Sequence, residues 1–287
     1  MDDRLRPLWD FDDLPASAAR LQAQLDDEDS DEGRAEVLTQ LARVEGLHGD
    51  FEAGDRLIAD AVDLAGGNEV ALARIELERG RLRRSSGDVE AALPLFESAF
   101  SRALAAGQLF VAVDAAHMAA LAAPGREEFV GWTKRGIALA EEHDAASYWL
   151  GPLLNNLGWE YYDAGELEPA LNAFERALRA REREPENAAA VEIARYAVGK
   201  TLRSLGRAQE ALPQLEQAME SATQRGTSDG WLHEELAEEY AAVGRTHDAS
   251  GQARLAIPLL EEADPSFRED PKRRARLIEL ADARVGA

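Results

Sequence analysis

The sequence contains no cysteine. Disulfides, thiolate catalysis and cysteine-based zinc sites are therefore excluded, and the redox compartment leaves no trace in it. Positive charge is in deficit, with 32 Lys and Arg against 55 Asp and Glu and a formal net charge of −23. Most of such a surface repels phosphates, so neither nucleic acid nor an anionic membrane is an expected partner unless a local basic patch overrides the balance. No apolar stretch approaches the length that spans a bilayer, and the acidic start MDDRLRPLWDFDDLPAS lacks the apolar run of a signal peptide. A soluble, cytoplasmic protein is the expectation.

Chemistry-bearing motifs are equally scarce. No phosphate-cradling glycine loop, nucleophile elbow or kinase signature occurs. His233-Glu234-Glu235-Leu236-Ala237 opens like a zinc-protease helix, but Ala237 stands where the second histidine ligand is required. Glu234, Glu238 and Glu239 share a helix and read as a solvated acidic face rather than a cation site. His48, His143 and His247 are dispersed, and His117 alone falls near the groove face described below. No catalytic residue, metal or cofactor is expected, and the chain reads as non-enzymatic.

What the sequence does have is apolar content, 45% of 287 residues, arranged in a repeat. Its clearest copy is LLNNLGWEYYDAGELEPALNAFERALRA, residues 153–180. Here a helix, a tight turn at Asp163-Ala164-Gly165 and a second helix are expected. Gly158, Ala170 and Ala177 let two helix backbones approach closely, and Tyr161 and Phe174 fill the space beside them. Taking the turn residue as anchor gives Gly49, Gly87, Arg126, Gly165, Gly206 and Gly244, at spacings of 38, 39, 39, 41 and 38. Five residues after each anchor come Gly54, Ala92, Gly131, Ala170, Ala211 and Ala249. Twelve after it come Ala61, Ala99, Ala138, Ala177, Ala218 and Ala256. Seven before it come Ala42, Gly80, Ala119, Gly158, Gly199 and Ala237. Small residues at every one of these places imply six helical hairpins that bury their faces by stacking.

This order of large and small residues resembles the tetratricopeptide (TPR) repeat, in a long form similar to that of bacterial regulators and adaptor proteins of uncharacterised function. The resemblance covers roughly residues 34–263. It implies an all-α, right-handed superhelical solenoid of about six antiparallel helix hairpins, at about 34–67, 68–106, 107–144, 146–184, 185–226 and 228–263. Residues 1–33 are expected to give an aromatic lead-in, Trp9-Asp10-Phe11, and a capping helix through Leu14, Ala18, Leu21 and Leu25. The acidic run at residues 26–33 reads as a solvated connector. Residues 264–287 read as a C-terminal capping helix, with a basic segment from Lys272 to Val285 that turns Leu277, Ile278 and Ala281 inward. A local irregularity is expected in hairpin three, where Pro124-Gly125-Arg126 replaces the usual turn and Arg135 stands in place of an apolar residue.

In the TPR arrangement the first helix of each hairpin lines a concave groove, with groove residues about 13, 10, 6 and 3 positions before the turn. These offsets place Arg43, Arg74, Arg81, Arg84, Lys200 and Arg203 on the middle groove without a carboxylate among them, together with Trp159, Tyr162 and Tyr196. Asn155 and Asn156 lie beside them, and His117 faces the same side. Ile193 and Trp231 fall at the same offsets. The expected partner is a peptide or protein segment, acidic or carrying a free C-terminal carboxylate. Arginines or Lys200 would hold carboxylates, Asn155 and Asn156 backbone amides, and Trp159 an apolar side chain. The alternative is a regulatory sensor whose superhelix changes curvature around a small peptide or an anionic metabolite. Homo-oligomerisation through the convex face or the end caps would leave no distinct mark in the sequence.

Overall fold

The computed structural model describes residues 3–184 and 187–283, and among them every regular element is helical. The chain divides into two compact units, Met1–Leu153 and Leu154–Ala287.

In the first unit a short 3-10 turn, Arg6–Leu8, precedes α1 (Leu14–Asp27), α2 (Asp31–His48), α3 (Phe51–Leu64), α4 (Glu69–Ser85), α5 (Val89–Ala105), α6 (Leu109–Ala122) and α7 (Arg126–Glu142). A second 3-10 segment, Asp144–Trp149, leads into α8 (Leu150–Asp163), whose first turn still belongs to this unit. α2 packs on α3, α4 on α5 and α6 on α7, while α1 covers α2. Only residues 28–30 separate α1 from α2, because Ser30 accepts from the Gly33 amide at 3.0 Å and starts the helix inside the acidic run. The connector is thus shorter than its charge suggests.

The second unit continues with α9 (Leu167–Arg181), α10 (Ala188–Ser204), α11 (Ala208–Gln224), α12 (Gly230–Ala242), α13 (Thr246–Ala263), α14 (Pro265–Glu269) and α15 (Pro271–Asp282). α10 packs on α11, α12 on α13, and α15 on α13. Leu277 and Ala281 of α15 face inward as expected, at 1% and 7% exposure. Ile278 does not: it is 37% exposed, and Leu280 takes the inward place one turn beyond Leu277. Val285 lies outside the described residues.

Glycine makes the regular turns. Gly49, Gly87, Gly165, Gly206 and Gly244 all adopt left-handed φ between 72° and 97°. The following amide then reaches back to a carbonyl of the helix just ended, as in Asp50 N to Glu45 O at 3.0 Å and Glu166 N to Tyr161 O at 2.8 Å. Hairpin three differs: Pro124 and an extended Gly125 link α6 to α7. The altered link rotates α7, so that Gly131 and Ala138 face solvent and Thr133, Gly136, Ile137 and Ala140 face inward. The inward register is displaced by two residues from the expected one. Arg135 is exposed, with its guanidinium 4.6 Å from the Trp132 ring centroid.

Elsewhere the small residues are buried and their function is contact. A Cβ placed on Gly80 would lie 2.5 Å from the Phe96 ring, on Gly158 2.4 Å from Phe174, and on Gly199 2.6 Å from Leu215. In each pair the glycine stands seven residues before a turn and the large side chain nine after it. The bulk of the second helix thus rests on the bare backbone of the first, which fixes their spacing. Gly158→Ala is therefore expected to destabilise the chain by about 1–3 kcal/mol through overpacking, despite the roughly 1 kcal/mol that alanine gains in helix propensity. Urea unfolding of the variant measures the difference, and a more stable variant would show that the contact yields without strain.

Candidate functional site

In the first unit the groove face of α2, α4 and α6 is met by the residues that precede α1. Leu5 is buried, Arg4 donates to Glu28 at 2.8 Å, and Asp3 binds the Arg74 guanidinium, which also donates to Glu36 at 3.0 Å. The Asp3 carboxyl, which burial alone would raise, is held below its ordinary range by Arg74. Arg74 is thus a structural tie, not a free groove cation. The Arg6 guanidinium lies 3.9 Å over the Tyr148 ring. Trp9 stacks on Phe11 at 4.9 Å, and its indole N–H donates to Gln40 Oε1 at 3.0 Å. The Gln40 amide donates in turn to Glu78, and Arg81 joins Glu78 to Asp114.

These side chains enclose a cavity of about 270 Å³, lined also by Arg43, Phe110, His117 and Trp149. Arg74, Arg81 and His117 meet there, whereas Arg84 donates to the Leu121 carbonyl at 3.3 Å and is not part of the lining. Burial pushes the His117 imidazole down to about 4; Arg81, Arg84 and Arg43 push in the same direction against Asp114.

The second unit gathers the remaining candidates. Trp159 of α8 meets Phe174 edge-on at 4.9 Å and Tyr162 at 5.5 Å, with Tyr196 of α10 at 6.5 Å. The Tyr162 hydroxyl hydrogen-bonds the Ser204 hydroxyl at 2.8 Å. Lys200 and Arg203 both bind Glu235 of α12, each at 2.5 Å. Burial alone would raise the Glu235 carboxyl, but these two cations hold it below its ordinary value, while burial raises the Tyr196 phenol. Asn155 lies one helical turn before Trp159, its side-chain oxygen buried without a donor among the described residues, and Asn156 beside it is half-buried.

An open pocket of about 650 Å³ runs past Trp159, Ile193, Tyr196, Lys200, Asp229, Trp231, Asp264, Ser266 and Arg273. Ile193 is 57% exposed and Trp231 36%. The Trp231 indole donates to Asp264 at 3.2 Å, and Arg273 holds Asp264 at 2.8 Å and Glu234 at 2.6 Å. Burial opposes ionisation of Asp264, but Ser266 and Arg273 bring its carboxyl down to about 2.

The expected freedom of the groove from carboxylates is wrong. Glu78, Asp114 and Glu235 are all buried among the cations. The signal for Glu78 and Glu235 was in the sequence. Gln40, Glu78, His117, Asn156 and Glu235 each stand nine residues before a turn anchor, next to the offset of ten and on the same side of the helix. Trp149 and Tyr148 escaped because they lie in a 3-10 segment ahead of α8, before the first of the groove offsets.

Between pH 6.5 and 4 the unfolded chain binds a proton at His117 that the folded chain does not. Its contribution to stability is complete above about pH 6.5 and is lost as pH falls toward 4. Urea midpoints measured down this range should fall less steeply in His117→Gln than in the wild-type chain. Parallel slopes would show that the imidazole titrates normally.

No curated protein matches the chain. The sequence model of the tetratricopeptide repeat matches residues 153–184. Among solved structures, BtubC from P. vanneervenii aligns at a TM-score of 0.61 and 17% identity, over 79% of this chain and 94% of that one. A signal-transduction ATPase with a tetratricopeptide repeat sensor from Pyrococcus horikoshii aligns at 0.72 and 14% identity, covering 94% of this chain but only 42% of the ATPase. A Rap protein complexed with competence and sporulation factor aligns at 0.57 and 14%, over 94% and 81%. The chain therefore carries a tetratricopeptide repeat at residues 153–184 and has the all-α helical-repeat fold of TPR proteins.

Proposed function

We propose that this chain is a non-enzymatic binding module that takes an extended peptide or protein segment across the groove face of the second unit. The observation that carries this reading is the open pocket beside Ile193 and Trp231, two large apolar side chains left in water at the edge of an aromatic cluster. Trp159 and Tyr196 form its floor, so an apolar side chain of the partner would be enclosed on several sides. The Rap protein solved with competence and sporulation factor has the same fold, which supports the reading without identifying the partner.

The charges refine the partner. Lys200, Arg203 and Arg273 already hold Glu235, Glu234 and Asp264, and Asp229 also lines the pocket. An added carboxylate would have to displace one of these internal acids. The second unit thus favours a segment anchored by an aromatic or branched aliphatic residue over one recognised mainly by its acids.

Selection of peptides from a random library against the full chain supplies the probe. Trp231→Ala and Ile193→Ser alter partly exposed positions and should leave the helical signal and the unfolding midpoint nearly unchanged. Each is expected to weaken a selected peptide at least tenfold, about 1.4 kcal/mol. Peptides that bind both variants as they bind the wild type would remove the pocket from the account.

A further inference from the structure

The cavity of the first unit holds a cation that the fold does not neutralise. Arg43 stands six residues before its turn, as Arg81 and Lys200 do in later hairpins. Those two are ion-paired, Arg81 to Glu78 and Asp114, Lys200 to Glu235. Glu78, on α4, the first helix of the next hairpin after that of Arg43, already accepts from Arg81 and Gln40. Arg43 instead sits 5.1 and 5.2 Å from the stacked rings of Trp9 and Phe11, with no carboxylate in ion-pair contact among the described residues. Burial and the neighbouring Arg81 both work against its charge, and Glu78 and Asp114 only partly offset them.

The surroundings say what would complete it. Four arginines, Arg6, Arg43, Arg74 and Arg81, line the cavity with three carboxylates, Asp3, Glu78 and Asp114, each already bound to Arg74 or Arg81, so Arg43 has no acid of its own inside a strongly acidic protein. Its walls are otherwise rings and apolar chains, among them Phe110, Tyr148 and Trp149. The Trp149 indole N–H is buried with no hydrogen-bond partner among the described residues, a donor left over on the cavity wall. At about 270 Å³ the space suits a molecule with one ring rather than a run of residues.

We infer that this cavity binds a small carboxylic acid with an aromatic or compact apolar body, its carboxylate paired with Arg43 and its body packed among the rings. The site is distinct from the peptide pocket of the second unit. It would make occupancy of the first unit depend on residues 3–11, since Asp3, Arg6, Trp9 and Phe11 supply part of the wall.

Calorimetric titration of the full chain with phenylacetate, N-acetylphenylalanine and their uncharged amides tests the inference without any variant. Both acids should bind, and the amides should bind at least tenfold more weakly. Acids and amides binding alike, or neither binding, would overturn it. Arg43→Gln should reduce acid binding at least tenfold while retaining the helical signal, whereas Trp231→Ala, which disables the proposed peptide pocket, should leave it unchanged. Acid binding lost equally in Trp231→Ala would place the ligand in the second unit and refute the assignment. In the Trp231→Ala background, a phenylalanine-ended decapeptide that bound more tightly than N-acetylphenylalanine would likewise contradict a cavity of this size.

Discussion

The spacing of two helices is set where a glycine or alanine of the first meets a ring or branched chain of the second. At Gly80, Gly158 and Gly199 there is no room for even one more carbon. Helices held this close bring the long side chains of successive first helices within reach of each other. Arg81 can then touch Asp114, and Lys200 and Arg203 can share Glu235. The packing constraint thus decides the electrostatics of the groove face.

A cation drawn partly out of water is costly unless an acid accompanies it. Acids from the adjoining first helix or from the residues before α1 supply that company almost everywhere, which is why a chain of such negative charge carries arginines on its groove face without repelling itself. The exceptions inform function. Arg43 retains unbalanced charge beside aromatic rings, and the pocket at Trp231 retains apolar surface beside balanced charges. The two proposed modes of recognition, one for a carboxylate and one for an apolar side chain, therefore rest on different units.

Much of this was legible in the sequence. The helices, the left-handed turn glycines and the small contact residues follow from a recurrence of 38 to 41 residues, because a backbone turn and a close contact each tolerate few residue types. The third hairpin misled because its anchor, Arg126, is the first residue of a helix rather than a turn residue, which moved the inward face of α7 by two positions. The groove offsets picked out Trp159, Tyr196 and Trp231, which line one pocket. They missed the acids at position nine because four offsets sample a helix face too coarsely. The stapling of Asp3 to Arg74 joins residues 71 apart with no periodicity between them, so only the folded chain reveals it.

The central claim is that the groove cations of the second unit are internally neutralised and that apolar contact carries partner binding. The salt dependence of affinity for a selected peptide tests this most directly, because screening weakens exposed charge pairs and leaves apolar burial intact. The account predicts an affinity nearly unchanged from low to high salt. A steep loss of affinity with salt would mean that Lys200, Arg203 or Arg273 exchange their internal acids for those of the partner, and the claim would fail.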